Sequence, residues 1–175
     1  MMNAATITTA TQVKVVQPGS GRVGVLAPGV GVIFKIDGDV AGGALSMVEH
    51  TFEIGALVPP HVHTVEDEYS IVLEGEIGFR SNDQEVVLGR GGYIVKPRGE
   101  VHTMWNAGSA RARMIEVITP AGFERFFREF ADMTDVGPPD FEAVAELGAR
   151  YGLAFARPEW LPDVIARFKL TPPPG

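Results

Sequence analysis

Glycine and proline cut the first two-thirds of this 175-residue chain into short runs rich in Val, Ile and Phe, and that punctuation limits the fold more than any other feature. Short β-branched and aromatic runs between turn formers read as strands, and many in succession read as an all-β sandwich or barrel. Strands are expected over residues 13–16, 23–26, 32–36, 45–52, 61–63, 69–73, 77–80, 85–88, 93–96, 102–106 and 113–119. Glu74-Gly75 lies between two of them and predicts a tight hairpin, with glycine supplying a positive φ. Pro97-Arg98-Gly99 predicts a β-turn with proline at the first central position.

After residue 119 the spacing changes. Phe123, Phe126, Phe127 and Phe130 recur at helical intervals and form one apolar stripe. Thr119-Pro120 reads as the start of that helix. The stripe predicts packing on the outside of a sheet or against a second subunit. Phe141, Val144, Leu147, Gly148 and Tyr151 predict a second helix over 140–151, stopped by Gly152. A third contains Trp160, Leu161, Val164, Ile165 and Phe168, with Pro162 in its first turn. The expected division is a β-barrel domain over residues 1–119 and a helical extension over 120–175, packed on the barrel or on a dimer partner.

Composition narrows the function classes. The formal net charge is −7 and no run of Lys or Arg is visible, which argues against a nucleic-acid partner. No apolar stretch is long enough to span a bilayer, so no membrane partner is expected. Residues 1–13 lack the basic start and apolar block of a secretory signal, and cytoplasmic residence is expected. There is no cysteine, which excludes disulfides, thiolate metal sites and cysteine nucleophiles. Any metal must be held by imidazole, carboxylate, carbonyl or water, a set suited to Fe, Mn, Ni, Co or Zn in an open site.

Three of the four histidines fall in two spaced patterns. The first is Gly55-x5-His61-x-His63-x4-Glu68-x6-Gly75, and the second is Gly91-x5-Pro97-x-Gly99-x2-His102-x3-Asn106. Pro59-Pro60 favours extended backbone ahead of His61. His61 and His63, two apart on a strand, then point to one side. Glu68 and His102 can complete a shell from neighbouring strands. Taken singly, each residue has a plainer explanation: a packed histidine, a solvated acidic loop at Glu66-Asp67-Glu68, a turn cap. Together they give one divalent ion four protein ligands at about 2.0–2.2 Å. His50 belongs to neither pattern and has only the reading of a packed residue.

These two patterns match both motifs of the cupin superfamily without a gap, over residues 55–106. The resemblance implies a double-stranded jelly-roll β-barrel with His61, His63, Glu68 and His102 as metal ligands inside it, and commonly a homodimer. Pro59-Pro60-His61-Val62-His63, Glu74-Gly75-Glu76-Ile77, Thr119-Pro120-Ala121-Gly122-Phe123-Glu124 and the Glu146–Gly152 segment are similar to small single-domain bacterial cupins called quercetin-dioxygenase-like. That likeness implies a metal-dependent dioxygenase acting on an enolic or phenolic, flavonol-like substrate, with Glu68 as the catalytic base. The alternatives are a metal-dependent isomerase or epimerase on a small sugar-like molecule, and a non-catalytic binding cupin. A small aromatic substrate needs an apolar pocket with few polar groups. Strand parity places Ser70 and Val72 on the face of Glu68, and Met104 and Asn106 on that of His102. Phe34, Met47 and Phe52 are further candidates, while Tyr69 and Trp105 have outward parity.

Overall fold

Two antiparallel sheets face each other in a computed structural model that describes residues 13–173. Residues 1–12, most of the segment read for a secretory signal, and residues 174–175 lie outside the described residues. The first sheet contains β1 (Val23–Ala27), β2 (Val30–Ile36), β3 (Ser46–Phe52), β5 (Asp67–Glu74), β8 (Tyr93–Lys96) and β10 (Ala112–Thr119). Their spatial order is β1-β2-β3-β10-β5-β8. The second contains β4 (His61–His63), β6 (Glu76–Ser81), β7 (Gln84–Gly89), β9 (His102–Asn106) and β11 (Leu153–Phe155), in the order β11-β4-β9-β6-β7. Neighbours distant in sequence, such as β3 beside β10 and β4 beside β9, are the crossovers of a jelly roll.

Period-two alternation explains which residues fill the barrel. On β10, Ala112, Met114, Glu116 and Ile118 are buried while their neighbours are only partly so. On β3 the inward set is Ser46, Val48, His50 and Phe52. Val32, Phe52, Ile77, Phe79, Met114 and Ile118 form the centre of a continuous core. The hairpin at Gly75 has φ 70°, and a Cβ there would lie 2.9 Å from the Arg111 carbonyl oxygen. Glycine is therefore required twice over, for conformation and for space.

The structure departs from the sequence reading at several points. Residues 13–16 form no strand, and Val13 and Val15 are exposed. The turn before β9 closes from the Pro97 carbonyl to the Glu100 amide at 3.4 Å, so Pro97 is its first corner rather than its first central residue. Gly99, at φ 79°, takes the position that needs a positive φ. Thr119-Pro120 is a cis peptide ending β10, and α1 (Glu124–Val136) begins four residues later. Glu124 organises that start by accepting from the amides of Gly122 at 2.6 Å and Gly38 at 3.0 Å. β11, unrecognised in the sequence, comes from the helical tail and pairs with β4, bringing Phe155 opposite His61. The tail thus contributes an edge strand to the second sheet.

Two helices complete the tail. α2 (Phe141–Arg150) is capped by the Asp140 side chain, which accepts from the Glu142 amide at 3.4 Å. α3 (Leu161–Phe168) covers the outer face of β9. Trp105 has the outward parity expected of it but is fully buried beneath Leu161, Val164 and Phe168. Gly78 opposite makes room for the indole, since a Cβ there would fall 2.1 Å from it. No helix among the described residues is long and apolar enough to cross a membrane.

Asn106 ties the end of β9 to the body. Its amide donates to the carbonyls of Phe52 at 3.1 Å and Ala110 at 2.8 Å, and its oxygen accepts from the Gly108 amide at 2.9 Å. Asn106→Ala removes all three bonds and leaves the buried Phe52 carbonyl without this donor. A loss of about 2–4 kcal/mol is expected, read as a lowered midpoint in guanidinium denaturation. An unchanged midpoint would show that water replaces the side chain at no cost.

Candidate metal centre and its cavity

His61, His63 and His102 project from the second sheet, and Glu68 faces them from the first. Their donor atoms all lie within 4.8 Å of one another, and all four residues are buried. Local sequence explains the convergence. The extended Pro59-Pro60 step leads into β4, where His61 and His63 share the inward face with Val62 between them. His61 is paired directly with His102 across β4 and β9. The turn leading to His102 is fastened on both sides: Gly99 donates to the His63 carbonyl at 2.8 Å, and Arg98 grips Asp67 through its amide at 2.9 Å and its guanidinium at 3.0 and 2.8 Å. Those hydrogen bonds from Arg98 hold the Asp67 carboxyl down at about 2.

The hydrogen bonds around the imidazoles suit metal binding. The Nδ1 of His61 faces the Pro59 carbonyl at 2.8 Å, and that of His102 faces the Glu100 carbonyl at 3.1 Å. A carbonyl only accepts, so the proton sits on Nδ1 and each Nε2 presents its lone pair to the cluster. His102 Nε2 lies 3.2 Å from Glu68 Oε2, and His63 Nε2 lies 3.2 Å from Glu68 Oε1. Both buried ring nitrogens of His63 lack a well-formed hydrogen bond. Glu66 approaches His63 Nδ1 at 3.6 Å and is itself buried, not solvated as its acidic neighbours suggested. Acceptor atoms converging on one buried point need a cation between them. The residues present therefore fit a metal ion, with three imidazole nitrogens and one carboxylate as its donors.

Charge is distributed unevenly over the four. Burial, followed by His102 and His63, holds the His61 imidazole well below its ordinary value and thus neutral. Burial opposes charge on His63 too, but Glu68 and the Glu66 contact outweigh it and push this imidazole up to about 9. Burial works against ionised Glu68, yet the Lys96 ammonium and then His63 hold its carboxyl well below the usual range. Lys96 reaches Glu68 Oε2 at 2.8 Å and also bonds Glu116, all three being buried. His50 joins through Nε2 to Glu116 Oε2 at 2.9 Å. Lys96, Glu116 and His50 did not stand out as site residues in the sequence. The available signal was charge at inward parity: Glu116 alternates with Met114 and Ile118, and His50 with Val48 and Phe52.

A cavity of about 580 Å³ opens beside the cluster. Its polar lining includes His61 and Glu68 on one side and His50 and Glu116 on another, while Val30, Val58, Phe126, Phe127, Phe130 and Phe155 supply much of the apolar wall. The phenylalanine helix therefore does not lie on an outer sheet surface. α1 lies against the barrel mouth, with Phe123 edge-on to His63 at 4.3 Å between centroids. Of the residues expected to line a substrate pocket, Met104 borders this cavity. Phe34, Phe52 and Val72 are core, and Phe34 lies under the Arg128 guanidinium at 4.2 Å. Ser70 donates to Glu116 at 3.3 Å, Asn106 serves the β9–β10 turn, and Met47 has outward parity on β3.

Residues 48–118 match the family model described as a cupin domain. Among curated proteins, the chain is 40% identical over 76 residues to germin-like protein subfamily T member 2 of Arabidopsis thaliana, covering 41% of this chain and 34% of that protein. It is 35% identical over 66 residues to tetracenomycin polyketide synthase protein TcmJ of Streptomyces glaucescens, covering 38% and 44%. It is 31% identical over 78 residues to quercetin 2,3-dioxygenase of Bacillus subtilis, covering 45% and 23%. These matches span less than half of each relative. Among solved structures, an RmlC-like cupin from Shewanella frigidimarina aligns with a TM-score of 0.55 at 19% identity, over 66% of this chain and 99% of that one. The polyketide cyclase RemF from Streptomyces resistomycificus aligns at 0.53 with 25% identity, over 61% and 79%.

Two outcomes follow for metal loading. His61→Ala or His102→Ala is expected to lose most bound metal by elemental analysis while circular dichroism still reports a folded barrel; full occupancy in both variants would remove the site. With its pKa pushed up to about 9 by Glu68 and Glu66, His63 must release its second ring proton to ligate. Metal binding at pH 7.5 should therefore liberate about one proton per ion, and affinity should rise about tenfold per pH unit toward pH 9. Calorimetry in buffers of different ionisation enthalpy reads this directly, and a proton count near zero would contradict it.

Proposed function

On the premise that this chain carries a cupin domain in a cupin jelly roll, we propose that it is a metal-dependent dioxygenase of an enolic or phenolic aromatic compound. The ion is one divalent metal per chain, from Fe, Mn, Ni, Co or Zn, held by His61, His63, Glu68 and His102. The observation that carries the reading is the cavity: about 580 Å³ of largely apolar space ending on His61 and Glu68. Phenylalanine, proline and aliphatic walls suit a flat conjugated ring and give a sugar few hydrogen-bond partners. The likeness to a quercetin 2,3-dioxygenase supports the same substrate class.

When bound, the metal supplies Lewis-acid polarisation of the substrate oxygen and a template for its meeting with dioxygen. The protein's own part is positional. His61 and Glu68 present the ligand cluster to the cavity, and Phe123, Phe126 and Phe127, packed on one another, form one apolar wall for the ring and exclude water. Glu68 as base meets an obstacle, because the Lys96 ammonium stabilises its charge. A carboxylate held this way binds a cation better than it takes a proton. Its role in this reading is ligand first, and base only when a substrate displaces its hydrogen bonds.

Cyclisation of an aromatic polyketide is a second reading. The same apolar cavity favours it, as do the resemblances to TcmJ and to the polyketide cyclase RemF. Oxygen separates the two. The dioxygenase reading expects oxygen consumption with at least one member of a flavonol and catechol panel on protein loaded with iron, manganese, cobalt or nickel. No uptake with any metal and any compound would overturn it in favour of cyclisation or binding.

A further inference from the structure

The cavity has a second polar centre outside the ligand motifs. Glu116 and His50, both buried, border it from adjacent strands of the first sheet. Both ring nitrogens of His50 are engaged, Nδ1 with the Gly31 carbonyl at 3.2 Å and Nε2 with Glu116 Oε2 at 2.9 Å. Phe127 packs edge-on to that ring at 5.2 Å between centroids. The other oxygen of Glu116 takes the Lys96 ammonium and the Ser70 hydroxyl. A carboxylate offers about four lone-pair positions, and His50, Lys96 and Ser70 occupy three of them. One acceptor position is left on a residue that faces the cavity.

Geometry limits what can use it. Only a donor completes that shell, and in an apolar pocket a hydroxyl on the ligand is the group that offers one. The Lys96 ammonium that bonds Glu116 also bonds Glu68 Oε2 at 2.8 Å. The two carboxylates are therefore one ammonium apart. A ligand oxygen lodged at His61 and Glu68 and a hydroxyl lodged at Glu116 are then within reach of one ring system, and adjacent ring positions bring them closest.

We propose that Glu116, held by His50 and Lys96, is a specificity-determining residue that accepts a hydrogen bond from a second hydroxyl beside the metal-facing oxygen, so that the pocket selects vicinal dihydroxy aromatics over monophenols. This rests on the aromatic-substrate reading above but not on turnover. Zinc-loaded protein, which carries out no redox chemistry, allows binding of 2,3-dihydroxynaphthalene and 2-naphthol to be compared by calorimetry. Wild type is expected to favour the diol about tenfold or more, the range of one hydrogen bond to a charged acceptor. Glu116→Gln, which removes the charge, and Glu116→Asp, which keeps it but withdraws the acceptor by one methylene, should each erase most of that preference. Loosening the Lys96–Glu68 pair weakens both compounds alike, so the ratio of the two affinities is the readout, and 2-naphthol should lose less than the diol in each variant. A preference kept in both variants would assign selectivity to zinc chelation alone and overturn the proposal. So would no preference in wild type, or an equal loss of both compounds in the variants, which marks a structural role. Selective binding without oxygen uptake in the panel above leaves this inference standing and removes only the dioxygenase.

Discussion

A buried ammonium between two carboxylates is the interaction on which the rest of this molecule depends. Lys96 ends β8 at the edge of the first sheet and reaches inward to Glu68 on β5 and Glu116 on β10. Removing three charges from water costs several kcal/mol per ion, and removing one partner from such a set typically costs about 3–5 kcal/mol. Burial opposes the charge on Lys96, but Glu116 and Glu68 more than compensate and raise its pKa. Glu116 is pushed up by burial and by Glu68, and Lys96 with His50 brings it below its ordinary value. Each charge is tolerated because the others are present. The cluster therefore fixes Glu68 in place before any metal arrives, and it places a second polar group on the cavity wall beside the ligands.

The barrel alone would leave this arrangement open to water. Its closure comes from the tail, where α1 packs along β1 and inserts Phe123, Phe126 and Phe127 toward the imidazoles, while α2 and β11 seal the neighbouring edge. Edge-to-face contacts join Phe127 to Phe123 and to His50. Such pairs add about 0.5–1.5 kcal/mol beyond area burial, enough to hold the rings without plugging the space beside them. An apolar enclosure also lowers the local dielectric. The Lys96 ion pairs and the cation affinity of the cluster are both strengthened by the helices that form the pocket.

Much of this was legible in the chain, and the parts that were not share one cause. His61 and His63 could be placed together because a period of two needs only local sequence, and Glu68 and His102 follow after turns marked by glycine and proline. An all-β sandwich or barrel followed from the same punctuation, and the jelly roll from the resemblance of the two motifs to those of cupins. Lys96, Glu116 and His50 are assembled by β8, β10 and β3, strands far apart in sequence whose register no local pattern reveals. The phenylalanine stripe predicted a helix correctly but not the face it covers, since helical spacing is indifferent to whether its partner is an outer sheet surface or a barrel mouth. β11 is only three residues long and exists because β4 offers an edge. Val13 and Val15 show the converse: residues suited to a strand, with no partner strand beside them among the described residues.

The placement of charge argues about chemistry more strongly than the ligand count does. Three imidazoles and a carboxylate can support many reactions, and a pocket for a sugar needs polar groups distributed around its substrate. Here the buried polar groups along the cavity are concentrated at two adjacent places, His61 with Glu68 and Glu116 with His50, linked by Lys96, and the apolar side chains form most of the remaining wall. A ligand that satisfies such a pocket carries its oxygens on one edge and hydrocarbon elsewhere. Leaving the acceptor on Glu116 unused costs a ligand without a matching hydroxyl about 1–3 kcal/mol relative to one that has it. Discrimination on that scale comes from the wall of the barrel, and the metal ligands need not change for it to operate.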